Sequence, residues 1–147
     1  MNDNNPSRLV EILLVEDNPG DIRLTQEGLR ETKMLNNLQV AMDGVEALDI
    51  LLKRGKHANA SRPDLILLDL NLPKIDGREL LRRIKSDENL KRIPVVILTS
   101  SRAEEDILKT YNLHANCYIT KPVDFNQFLN VIRSIDDFWL GIVKLPQ

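Results

Sequence analysis

"LILLDLNLPKIDG", residues 65–77, sets one acid, Asp69, inside a run of leucine and isoleucine. Leu65, Ile66, Leu67 and Leu68 precede it, and Leu70 and Leu72 follow. An apolar run this continuous suits a strand of parallel sheet with both faces covered by helices. A carboxylate beside so much aliphatic surface is costly unless it is paired, bound to a metal or put to use. The segments on either side decide among these.

Upstream, "LVEILLVED" (9–17) is a second buried strand, ending in Glu16 and Asp17. "NPGDIRLTQEGLRET" (18–32) reads as a helix, with Asn18 as N-cap and Pro19 at the first helical position. "NLQVAMD" (37–43) is a shorter strand. In "DGVEALDILLKRG" (43–55), Val45, Leu48 and Leu52 share one helical face, Asp43 and Glu46 have capping-box spacing, and Gly55 is the expected terminator. "KHANASRP" (56–63) is a polar connector.

Downstream, "DGRELLRRIKSDENL" (76–90) repeats the helical pattern through Leu80, Leu81 and Ile84. "IPVVILT" (93–99) is a fourth strand, and "SRAEEDILKTY" (101–111) a fourth helix with Ser101 and Glu104 as a capping box. "NCYIT" (116–120) is a short fifth strand. "DFNQFLNVIRSIDDFW" (124–139) is the last helix, with Phe125, Phe128, Ile132 and Ile135 in phase. Strands that alternate with helices, over connections too long for hairpins, imply an α/β fold with a parallel sheet and helices on both faces.

A chain of 147 residues, 42% hydrophobic and 29% charged, is one ordinary globular domain. Its net charge of −2 gives no general attraction to nucleic acid or to an anionic membrane. A single cysteine, Cys117, excludes an internal disulfide and suits a reducing compartment. "MNDNNPSR" (1–8) is polar and unlike a signal peptide, and no run approaches membrane-spanning length. The expectation is a cytoplasmic chain with a flexible tail at 1–8, a domain at 9–138 and an apolar extension at 139–147.

Parallel sheets of this kind bind ligands at the carboxyl ends of their strands. That edge would gather Glu16 and Asp17 from strand one, Asp69 from strand three, Thr99 and Ser100 from strand four, and Lys121 beyond strand five. Three ionised carboxylates and one ammonium leave such a cluster at a charge of about −2. Like charges that close raise a carboxylate pKa, and a divalent cation removes the conflict. Hard oxygen ligands favour Mg²⁺, and positioning with charge stabilisation is what phosphoryl transfer requires. The residues therefore point to a Mg²⁺-dependent phosphoryl acceptor with Asp69 as nucleophile.

"VED" (15–17), "LLDLNLPKIDG" (67–77), "ILTSS" (97–101) and "ITKP" (119–122) together resemble the receiver domain of two-component response regulators. The resemblance spans residues 9–138. It implies a flavodoxin-like (βα)5 fold with strand order 2-1-3-4-5, and a phosphoryl group passed to Asp69 from a sensor histidine kinase. It also implies Mg²⁺ held by Asp17, Asp69 and the backbone carbonyl of Asn71, with Glu16 acting through a water. Lys121 and Thr99 would meet the phosphoryl oxygens, and Thr99 and Tyr118 would form the switch. The Lys121–Pro122 bond would be cis. Such a protein catalyses only its own phosphorylation and slow dephosphorylation. Glu16 departs mildly from the family, many of whose members have Asp there. "ANASRPDLILLDLNLPKIDGREL" (58–80) and "DDFWLGIVKLP" (136–146) look like the small regulators paired with bacterial and cyanobacterial phytochromes.

Plainer readings stand beside these. Glu16 and Asp17 could merely cap the first helix, Thr99 and Ser100 are common turn residues, and Tyr118 could be core. Lys121 could be a solvated lysine. His57 and His114 lack ligand spacing, Cys117 suits a buried inert position, and Arg82 and Arg83 suit a solvated face. Glu104, Glu105 and Asp106 suit a helix dipole without further partners. Phe138, Trp139, Ile142, Val143 and Leu145 extend the apolar supply past the last helix, either folding back over their own domain or serving a homodimer or kinase contact, with the homodimer favoured. Two functional alternatives remain. One is a Mg²⁺ phosphatase with an aspartyl nucleophile, although Asn71 stands where that class carries a second acid. The other is a receiver-like binding module that is never phosphorylated.

Overall fold

The computed structural model describes residues 9–31, 35–70, 72, 74–109 and 117–121, together with 124, 126, 128 and 130. Five strands alternate with helices: β1 (Val10–Val15), α1 (Pro19–Arg30), β2 (Asn36–Ala41), α2 (Gly44–Leu51), β3 (Leu65–Asp69), α3 (Gly77–Ser86), β4 (Val95–Thr99), α4 (Arg102–Lys109) and β5 (Cys117–Thr120). A short 3-10 turn covers Gly55–His57. All strand pairings are parallel, in the order β2-β1-β3-β4-β5. The expected fold class and strand order are those observed.

The strictly alternating side chains of the central strands feed two separate cores. Leu13, Val15, Ile66, Leu68, Val95 and Ile97 pack with Ala47, Leu48, Ile50, Leu51, Leu80, Leu81 and Ile84 of α2 and α3. Ile12, Leu14, Leu65, Leu67, Val96, Leu98 and Ile119 pack on the opposite face with Leu29 of α1 and with Phe128. Every residue of β3 and of β4 is buried, which explains why these strands read as unbroken apolar runs.

Helix starts follow local chemistry. Asn18 Oδ1 accepts from the Asp21 amide at 2.9 Å, with Pro19 in the first turn. Asp43 Oδ1 accepts from the Glu46 amide at 2.8 Å, and Ser101 Oγ accepts from the Glu104 amide at 3.1 Å. In both capping boxes the returning carboxylate takes the amide one residue before the cap, at Met42 (3.1 Å) and at Ser100 (2.9 Å).

Two expectations about α2 fail. The helix stops at Leu51, and Lys53 rather than Gly55 makes the first left-handed step, with φ 56°. Its buried face is Ala47, Leu48, Ile50 and Leu51, while Val45 and Leu52 are exposed. Glu105 departs from the expected helix-dipole run without further partners, since it is buried and its carboxylate lies 3.9 Å from Arg102. The tail 1–8, Asn71, His114, Pro122, Phe125 and residues 131–147 lie outside the described residues, as does the side chain of Cys117.

Candidate functional site

The carboxyl edge of the sheet collects the polar residues. Glu16 continues the β1 ladder by donating its amide to the Ala41 carbonyl at 2.9 Å. Its side chain is buried, and Oε2 accepts from the Asn18 amide at 3.2 Å. Asp17 is exposed, while Asp69 closes β3 and is buried. Lys121 extends the β5 ladder, its amide donating to the Thr99 carbonyl at 2.7 Å. These backbone bonds fix where each side chain starts.

One ammonium unites the acids. Lys121 Nζ donates to Asp69 Oδ2 at 3.0 Å, to Asp21 Oδ2 at 3.0 Å and to Glu16 Oε1 at 3.3 Å. Carboxylate oxygens of Glu16, Asp17 and Asp69 all lie within 4.8 Å of one another. Asp21 was missed in the sequence, where it looks like an ordinary first-turn acid of α1. Its only signal is a place one helical turn beyond Asp17.

Burial, followed by the hydrogen bond and the negative charge of Asp69, pushes the Glu16 carboxyl up to about 7. The Lys121 charge and the Asn18 amide offset only part of this. Burial works to lower the Lys121 pKa, yet hydrogen bonds to Asp21 and Asp69 and the carboxylate charges win, raising it above the ordinary lysine value. The ammonium is therefore charged at neutral pH, whereas a neighbouring acid is driven to keep its proton. A cluster of hard oxygen donors with surplus negative charge fits a divalent cation.

Thr99 is fully buried at the end of β4, and its hydroxyl donates to the Ile119 carbonyl at 3.5 Å, the long limit of such a bond. Tyr118 is half-buried and packs against the core on the α2 and α3 face. His57 sits 3.5 Å from Glu46, away from the acid cluster. Arg82 and Arg83 are exposed and both bond Glu79.

A backbone contact secures the segment after Asp69. The Gly77 amide donates to the Leu70 carbonyl at 3.1 Å. A Cβ at Gly77 would collide with Leu70 Cα, and would lie 2.8 Å from the Leu70 carbonyl and 2.9 Å from that of Asp69. A second clasp lies alongside. A Cβ at Gly44 would meet Ile75 Cβ at 2.6 Å, and Lys74 Nζ pairs with Asp43 Oδ2 at 3.3 Å. Only glycine fits these two helix starts against the loop that follows β3.

Residues 12–133 match the response regulator receiver domain. Response regulator Rcp1 of Synechocystis sp. (strain ATCC 27184 / PCC 6803 / Kazusa) is 46% identical, the alignment covering 98% of this chain and 97% of Rcp1. An Mn(2+)-bound crystal structure of Rcp1 superposes with a TM-score of 0.72 at 47% identity, over 94% of this chain and 99% of that one. The bacteriophytochrome response regulator AtBRR gives a TM-score of 0.83 at 44% identity, over 95% of this chain and 98% of its own. The phosphorylated cyanobacterial phytochrome response regulator RcpA gives 0.72 at 51% identity, over 97% and 100%.

Proposed function

Because this chain belongs to the response regulator receiver family of two-component signalling, we propose that Asp69 is its phosphoryl acceptor and a phytochrome-type sensor histidine kinase its donor. The observation that carries this reading is the Lys121 ammonium, 3.0 Å from Asp69 beside a trio of carboxylates. An Asp69 oxygen attacks phosphorus, the bond from phosphorus to the kinase imidazole breaks, and the electron pair leaves with that nitrogen. Lys121 stays protonated throughout and offsets charge on the phosphoryl oxygens. Asp17, Asp69 and the Asn71 carbonyl would hold Mg²⁺, with Glu16 acting through a water; the ion would supply charge neutralisation for the phosphoryl oxygens.

Thr99 and Tyr118 read out the modification. The 3.5 Å bond from the Thr99 hydroxyl to Ile119 is weak enough to exchange for a phosphoryl oxygen. That movement shifts the face built from α4 and β5, with the last helix, between two populated states. The partner is proposed from the likeness to phytochrome response regulators. The chain is its own catalyst for phosphorylation and slow dephosphorylation, in the cytoplasm, and no observation favours phosphatase action on external esters.

Intact mass after incubation with acetyl phosphate and Mg²⁺ tests the reading. The wild type gains the mass of one phosphate, and Asp69→Asn gains none; an unchanged wild-type mass overturns the proposal. We also propose a domain at 9–138 and a homodimer through Phe138, Trp139, Ile142, Val143 and Leu145 in the 139–147 extension and its approach. Light scattering of a chain truncated after Asp137 should show the dimer lost.

A further inference from the structure

The ammonium of Lys121 has three donors, and three carboxylates take them. Two of these acids, Glu16 and Asp69, also belong to the trio whose oxygens cluster for a cation. Asp21 does not. It projects from the first turn of α1, where the Asn18 side chain fixes its backbone by accepting from its amide at 2.9 Å. Modification of Asp69 and cation binding both draw on the other two acids, which leaves Asp21 as the partner outside that exchange.

We infer that Asp21 is a positioning residue for phosphoryl transfer, tethering Lys121 from the α1 side so that its ammonium faces the acceptor while Glu16 and Asp69 change partners. The inference rests on the acceptor role proposed for Asp69. Lysine has a long, flexible stem, so a charged partner on a fixed helix end removes much of its rotational freedom before the reaction. The alternative is that Asp21 only complements the helix dipole. That role would affect stability and leave the transfer rate alone.

The test compares initial phosphorylation rates with acetyl phosphate and Mg²⁺ for wild type, Asp21→Ala, Asp21→Asn, Asp21→Glu, Lys121→Met and the Asp21→Ala/Lys121→Met pair, with thermal midpoints measured alongside. Asp21→Ala should slow the transfer by about five- to tenfold. Asp21→Asn, nearly the same shape without the charge, should lose a similar factor, and Asp21→Glu should recover most of it. In the Lys121→Met background, Asp21→Ala should cost nothing further, because the tether has nothing left to hold. In the metal-free protein, the Lys121 ammonium NMR signal should broaden in Asp21→Ala, independently of any turnover. A rate for Asp21→Asn equal to or above wild type overturns the inference, as does an equal loss with and without Lys121. Failure of the wild type itself to gain phosphate would instead remove the acceptor role on which the inference depends.

Discussion

Glu16 keeps its proton up to about pH 7 because it is buried and shares a hydrogen bond with Asp69. The unfolded chain releases that proton near the ordinary glutamate value of 4.5. The folded state thus binds more protons between these limits, and stability of the metal-free protein should fall as pH rises from about 4.5 to 7. Cation binding requires the ionised carboxylate, so apparent Mg²⁺ affinity should climb about tenfold from roughly pH 6 to pH 8. Glu16→Gln should flatten both profiles. Thermal melts with and without Mg²⁺ check the first effect, and calorimetry the second. The sequence foretold crowded carboxylates and a raised pKa, but not which acid would carry it. Glu16 and Asp17 are neighbours, and only the turn after β1 decides that the first is buried and the second exposed.

At the scale of elements, the glycine at the start of α3 governs how closely that helix approaches the end of β3. The atoms facing it are backbone, which cannot swing aside. Gly77→Ala should therefore destabilise the protein by about 2–3 kcal/mol and slow phosphorylation, because its relief requires moving the Asp69 and Leu70 carbonyls. Chemical denaturation and the mass assay measure the two effects. Lys53 ends α2 at φ 56°, a conformation that costs a side chain about 1 kcal/mol. Lys53→Gly should raise the melting temperature by about 3 °C. The same exchange at Lys74, φ 67°, should gain less, since its ion pair with Asp43 is lost. The α2 ending was not legible in advance. Leu51 and Leu52 look alike as letters, and the first left-handed step falls on a lysine two residues before the glycine, which is left-handed as well. The central strands were legible because burial on both faces leaves no polar position to obscure the pattern.

Across the whole molecule, the sheet divides two cores, and the residues proposed for the switch sit on different sides of that division. Tyr118 packs with the α2 and α3 layer, whereas Ile119, whose carbonyl engages Thr99, belongs to the α1 layer. Phosphorylation should therefore move amide signals of β4, β5 and α4 in NMR spectra while leaving β1 and β2 beyond Glu16 nearly unchanged. Equal shifts across all five strands would contradict a local switch.

The contact between Lys121 and Glu16 joins positions 105 residues apart, nearly the full span of the described chain. During synthesis the three acids leave the ribosome long before the lysine that balances them. Until β5 docks, any early gathering of these acids lacks the lysine counter-charge, and the acceptor proposed at Asp69 lacks its ammonium. If Asp69 is the acceptor proposed above, competence to receive a signal should arrive only once β5 has docked, leaving half-made copies silent.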